Sequence, residues 1–417
     1  MPIRNDLFSP LVASVTVFLA TASALSASDW PWWRGPDRNG VAASDLQPPV
    51  VFSDKESVKW IATVPGRGHG SPIVVGSRVL LQTADEKEQS QSVLCLDRKT
   101  GEQIWLKKVH QGVFPKTNKR ASHASGTPAY DGERIFVNFV IDGAAHTTAL
   151  DEAGQLLWQK KICDYVVHQG YGSSPSIYEN LVIVSADTKI GGAICAFDRK
   201  SGDEVWRVAR PKFPNYASPV ILKVAGREQL LFSGCEAVTS LNPKTGEKFW
   251  EVEGSTTECV TTIVTDGERI FTSGGYPKNH VSAVNGDGSG EVVWENISRV
   301  YVPSMLVKDG YLYAVMDGGV AVCWKSDTGD RMWKERLGGT FSGSPVLVGD
   351  HIYAGNGEGE FFVFKADPKK FEVVAENQLG DEVFSTPTIV DGQIFIRVAH
   401  HDEDGARVEK LYCLGKK

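Results

Sequence analysis

Leu96-Asp97-Arg98-Lys99-Thr100-Gly101-Glu102-Gln103-Ile104-Trp105 is the stretch on which the fold turns. An apolar run ends at an Asp, a Lys-Thr-Gly turn follows, and a second run opens that carries a Trp. Glycine in such a turn supplies positive φ, and the Asp side chain can accept from the turn's own amides. The phrase returns as Phe197-Asp198-Arg199-Lys200-Ser201-Gly202 leading to Trp206, and as Leu241-Asn242-Pro243-Lys244-Thr245-Gly246 leading to Trp250. It returns again as Trp324-Lys325-Ser326-Asp327-Thr328-Gly329 before Trp333, and in shorter form as Leu150-Asp151-Glu152-Ala153-Gly154 before Trp158. With Trp60 and Trp294, these tryptophans follow one another at 39 to 53 residues. An eighth slot is expected at Val374, where the aromatic has been lost but Phe371-Glu372-Val373-Val374 keeps the flanking pattern.

A second phrase lies between the tryptophans. Ser71-Pro72, Thr127-Pro128, Ser174-Pro175, Ser218-Pro219, Ser344-Pro345 and Thr386-Pro387 each open an apolar run, with degenerate copies at Thr262 and Ser304. Most of these runs reach a pair expected to make a two-residue hairpin turn: Asp131-Gly132, Asp266-Gly267, Asp309-Gly310, Gly349-Asp350 or Asp391-Gly392. A unit of about 45 residues with four antiparallel strands is a propeller blade. The expectation is therefore all-β: an eight-bladed β-propeller of four-stranded antiparallel blades. The first Trp slot precedes the first Ser-Pro and the last blade has no Trp strand after it. The N-terminal strand around Trp60 should therefore close the ring and remove its open edges. One domain, residues 58–417, follows a lead-in at 29–57 that is rich in aromatics.

Arg4, the apolar run Leu11 to Leu25 and the small residues Ser26-Ala27-Ser28 have the order of a secretory signal peptide. Residues 1–28 are thus expected to be a leader cleaved after Ser28, giving an exported, periplasmic or secreted protein with no transmembrane span in the mature chain. With 44 Lys and Arg against 51 Asp and Glu, the net charge of −7 argues against nucleic-acid binding. The seven cysteines are odd in number and lack metal or redox spacing. Cys95, Cys323 and Cys413 hold the repeat position that Ala149 holds elsewhere, which reads as a slot for a small apolar side chain. Asn285-Gly286-Asp287-Gly288-Ser289-Gly290 alternates oxygen donors as a calcium loop does, but the twelfth position is Asn296. It reads better as a glycine-rich hairpin.

The phrase Asp-x-x-Thr-Gly-x-x-x-Trp resembles the tryptophan-docking motif of the eight-bladed quinoprotein dehydrogenase-like propellers. Trp30-Pro31-Trp32-Trp33-Arg34-Gly35-Pro36 is similar to exported PQQ-like repeat proteins related to the BamB-type barrel-assembly scaffold. The resemblance implies a ring whose tryptophans pack between blades. The enzymes of that family oxidise alcohols or sugars with PQQ, a Ca²⁺ held by carboxylate and amide ligands, and an Asp base. Many add a disulfide between adjacent cysteines. This sequence has no Cys-Cys pair, no haem motif and no extra length. The expectation is a binding or scaffold module of the cell envelope, monomeric, with no catalytic residue, metal or cofactor. The alternative is an oxidoreductase dependent on PQQ and calcium.

The loops that lead into the inner strands differ from blade to blade, and a propeller gathers them around one channel mouth. They supply Arg67, His69, Arg120, His123, His168, Tyr171, Tyr216, Glu258, Tyr301, Phe341 and Phe384. Two readings stay open. The aromatics plug the channel, or the set binds an envelope protein or a small anionic or carbohydrate-like ligand.

Overall fold

The computed structural model describes residues 29–416, so the leader expected at 1–28 lies outside the described residues. Those residues contain no helix and form eight antiparallel blades in a ring. Blades 1 to 7 span residues 73–111, 129–164, 176–210, 220–253, 264–296, 306–336 and 346–378 in chain order. Blade 8 takes three strands from 388–415 and its outermost strand, Val58–Val64, from the other end of the chain. Trp60 lies opposite Cys413 in that pairing, which is the closure expected from the repeat count. All seven cysteines are free thiols.

Each Trp docks on the corresponding turn of the next blade. The indole N–H groups of Trp60, Trp105, Trp158 and Trp206 donate to the carbonyls of Arg98, Glu152, Arg199 and Pro243. A Cβ on Gly202 would stand 2.7 Å from the Trp158 ring, so that glycine serves both the positive φ of 75° and the close approach. Asp97 Oδ1 accepts from the amides of Lys99 and Thr100, and these bonds hold its carboxyl below the usual range. The Asn285–Gly290 stretch makes the corresponding turn beneath Trp250, whose indole N–H reaches Gln229 Oε1 instead.

Opposite each Trp, across the strand pair, stands a small residue: Cys95, Ala149, Ala196, Ser240, Ala283, Cys323 or Cys413. Blade 7 inverts the pair. Its turn is longer, with Phe364 opposite Val373 where blade 1 has Leu96 opposite Gln103, so its slot is Ala375 and not Val374, and Ala375 faces the larger Val363. The missing aromatic has a physical reason. The turn it would dock on is the chain break of blade 8, where the Gly415 N–H donates to Ser57 O. Phe52 from the N-terminal segment fills that junction, edge-on to Phe361 at 5.2 Å.

The Ser/Thr-Pro phrase has a second role. The backbone N–H of Ser71 donates to Thr127 Oγ1, that of Thr127 to Ser174 Oγ, and that of Ser174 to Ser218 Oγ. On the far side the same link joins Thr262, Ser304, Ser344, Thr386 and back to Ser71. These hydroxyls stitch inner strand to inner strand, and Thr262 and Ser304 are full members despite lacking proline. Two of the expected hairpins differ in length. Asp131-Gly132 and Asp266-Gly267 sit in three-residue connections, with the Asp carboxylate accepting from the amides two and three residues on.

Candidate functional site

The central channel is closed at one end. Residues 29–42 run beneath the ring on the side of the Thr-Gly turns, touching the inner strands of most blades. Trp30 pairs with Val74, Pro31 O accepts from Tyr130, and Arg38 donates to Ile177 O. Val41 and Ala42 then add a parallel strand to blade 7 at Leu347 and Val348. Arg34 is buried beneath the channel, donating to Asn39 O at 2.6 Å and Met305 O at 2.5 Å. Burial lowers its pKa to about 9. Trp33 reaches upward and donates its indole N–H to Thr262 Oγ1 at 2.8 Å, at the level of the hydroxyl ring.

Above Trp33 the channel widens into a funnel of about 440 Å³. Its floor is Trp33 and the hydroxyls of Ser71, Thr127, Ser174, Ser218, Ser344 and Thr386. Seven residues expected at the mouth line it: His69, Arg120, Tyr171, Tyr216, Tyr301, Phe341 and Phe384. The aromatics therefore form walls, while the plug comes from the N-terminal segment. His69 stacks on Phe384 at 4.6 Å. Burial and the guanidinium groups of Arg67, Arg407 and Arg397 hold its pKa well below the usual imidazole value, so it is neutral.

The other four expected residues stand off the funnel surface. Glu258 is buried behind the wall, where the Tyr301 hydroxyl donates to it at 2.8 Å and His168 Nε2 lies 3.2 Å away. This network joins loops that lead into blades 3, 5 and 6. Burial followed by the Glu258 charge raises the Tyr216 and Tyr301 pKa values, so both phenols stay protonated. Arg67 lies outward, donating to Lys119 O and facing Glu86 at 3.8 Å. His123 turns into a side crevice and stacks on Phe114 at 4.3 Å, because an aromatic neighbour in its own loop covers it.

Trp33, from the lead-in, Arg299 and Asp317 are among the funnel residues outside the expected set. Asp317 accepts from the Tyr301 N–H at 2.8 Å, and burial raises its pKa. The Arg299 guanidinium lies 5.3 Å from the Tyr301 ring centre. A signal for Asp317 existed in Asp317-Gly318-Gly319, a loop tip at the same end as the mouth.

These features define a class: a tryptophan-docked, eight-bladed propeller whose channel is sealed at one end and open as an aromatic, hydroxyl-floored funnel at the other. The chain belongs to the family described as outer membrane protein assembly factor BamB, whose model matches residues 89–335 and 277–369. The assembly factor BamB of Burkholderia pseudomallei (strain K96243) is 27% identical over 410 residues, covering 92% of this chain and 93% of that protein. Among solved structures, BamB from Moraxella catarrhalis superposes with a TM-score of 0.57 at 15% identity, covering 88% of this chain and 97% of that one. A europium-containing methanol dehydrogenase superposes at 0.64 with 12% identity, covering 94% and 98%, a likeness of fold alone.

The quinone and calcium implied by the wider fold family do not fit this funnel. That chemistry asks for several oxygen ligands on the ion and a further carboxylate as base. The funnel lining supplies Asp317, whose carboxylate already accepts a backbone amide. Among the described residues no group of three or more His, Cys, Asp or Glu is placed to hold a metal. Nor does any cysteine line the funnel, so the disulfide wall has no counterpart.

Proposed function

We propose that this protein is an exported docking module that holds another envelope protein during outer-membrane protein assembly, as a monomer and without catalysis. The end-to-end correspondence with a BamB assembly factor, 92% of one chain against 93% of the other, carries the reading. The funnel supports it. Its phenols are held protonated, its imidazole is neutral and its one lining carboxylate is engaged, so it offers recognition surface in place of an activated nucleophile or base. Aromatic walls with two guanidinium groups, Arg120 and Arg299, suit an extended segment that carries apolar side chains and an anionic group.

Affinity capture from solubilised envelopes with the full chain tests this. Outer-membrane assembly proteins should be enriched over total envelope protein, and their absence from the captured set would overturn the reading. Incubation with PQQ and Ca²⁺ should give no dye reduction on alcohols or aldoses. Chelator-sensitive turnover would favour the oxidoreductase.

A further inference from the structure

Beyond the funnel, the mouth face is electrically divided. On one side, hydrogen bonds tie successive loops into a continuous arc. Asn118 is bonded to Gln169 through both backbone and side chain, and the Val166 N–H donates to Thr188 Oγ1. A Cβ on Gly191 would rest 3.7 Å from Lys212, which joins the next loop to the series.

Along this arc apolar side chains protrude beside cations. Val113 is 71% exposed near Lys116, Ile190 is 47% exposed beside Lys189, and Phe213 is 36% exposed beside Lys212. Among the described residues, none of these three lysines has an acidic partner within 4.0 Å. On the opposite, turn-bearing face some lysines are paired, as Lys244 is with Glu179 at 2.7 Å and Lys365 with Glu372 at 2.6 Å. Of the acidic groups there, Asp164 pairs with Lys161, Asp142 accepts the Val113 amide and Glu86 faces Arg67, while Glu88 stands exposed in the blade 1 loop at the edge of the arc. Across the mouth, the blade 7 and 8 loops carry the acidic residues Glu358, Asp381, Asp402, Glu403 and Asp404.

We propose that this arc docks the protein reversibly on an anionic lipid surface, with the apolar tips entering the headgroup layer and the lysines meeting lipid charge. Single protruding side chains, each flanked by a cation and spread over neighbouring blades, match a plane met by several loop tips at once. A protein interface would instead call for one continuous apolar core. The acidic side of the mouth is repelled by such a surface, so the ring tilts and the funnel stays open to solvent.

Flotation of the protein, in the form recovered from the cell envelope, tests this. The vesicles are phosphatidylcholine alone or phosphatidylcholine mixed with phosphatidylglycerol. Binding should favour the mixed vesicles by about tenfold or more and weaken with salt. The combined substitution Lys116→Glu, Lys189→Glu and Lys212→Glu should abolish that preference. Val113→Ser, Ile190→Ser and Phe213→Ser together should weaken binding even at low salt, which charge attraction alone does not predict. All variants keep the same N-terminus and should melt with the parent, so differences report the arc. Equal flotation of parent and lysine variant overturns the proposal. It is also overturned if anionic vesicles fail to bind while the same substitutions abolish capture of an envelope protein, which would make the arc a protein-docking surface. Neither result bears on capture through the funnel.

Discussion

The two faces of the ring obey different rules. On the turn-bearing face one recipe repeats: Asp caps the turn, Gly accepts a close ring, and the previous blade's Trp docks on it. There the channel is sealed by residues 29–42, and several charges are paired, as in Arg98 with Asp391 and Arg78 with Glu152. On the mouth face no two loops agree, cations stand unpaired among exposed apolar tips, and an open funnel gathers residues from many blades. Repetition is what ring closure needs, since each blade must fit its neighbour. Divergence is what an asymmetric site needs, since eight like loops could build only a symmetric one.

Removing residues 29–64 should have the largest effect, because it takes out the plug, Trp60 and the strand that closes blade 8. Circular dichroism melting should show no cooperative transition, and a cooperative melt would place closure elsewhere. Trp158→Ala should cost about 3–5 kcal/mol in denaturant unfolding, with a cavity left over Gly202. Acidification comes next. Burial lowers the pKa of His110 and of His280 to about 4, and that of His69 well below its usual value. The unfolded chain binds protons at these sites that the folded chain does not, so stability rises with pH across this window. That contribution is complete above about pH 6.5, the unfolded imidazole value, and is lost progressively toward about pH 4. Thermal scans should show Tm falling by several degrees between those limits, and a flat profile would contradict the neutral assignments.

Ala375→Trp sharpens the account of the empty slot. If the aromatic is missing because blade 8 has no turn to receive it, restoring Trp should destabilise by about 1–3 kcal/mol through overpacking against Val363. A gain in stability would show that a dock exists there. Trp33→Phe should have the smallest effect, about 1 kcal/mol for the bond to Thr262, because the ring still floors the funnel.

The repeated face was legible in the sequence because its parts recur as one phrase: an Asp and a Gly set each turn, and the Trp that follows within ten residues is the ring that docks on the next blade's turn. Even there the longer turn of blade 7 put the slot at Ala375 and not Val374, since register depends on a partner strand that the phrase does not contain. The mouth was legible as a set of loops and not as an arrangement. His123 turned onto Phe114, and Glu258 withdrew behind Tyr301 and His168. The plug was not legible. Its aromatics and glycines signal no strand, and its contacts with Met305 and Leu347 exist only once the ring has closed.

The division of labour between faces is tested most directly by capture with two matched triple variants. One carries Arg120→Ala, Tyr216→Phe and Arg299→Ala at the funnel, and the other Lys99→Ala, Lys200→Ala and Lys244→Ala at the opposite turns. Both should keep the parent's melting profile, and only the funnel variant should lose outer-membrane assembly proteins from the captured set. Retained capture by the funnel variant with loss by the turn variant would contradict that division.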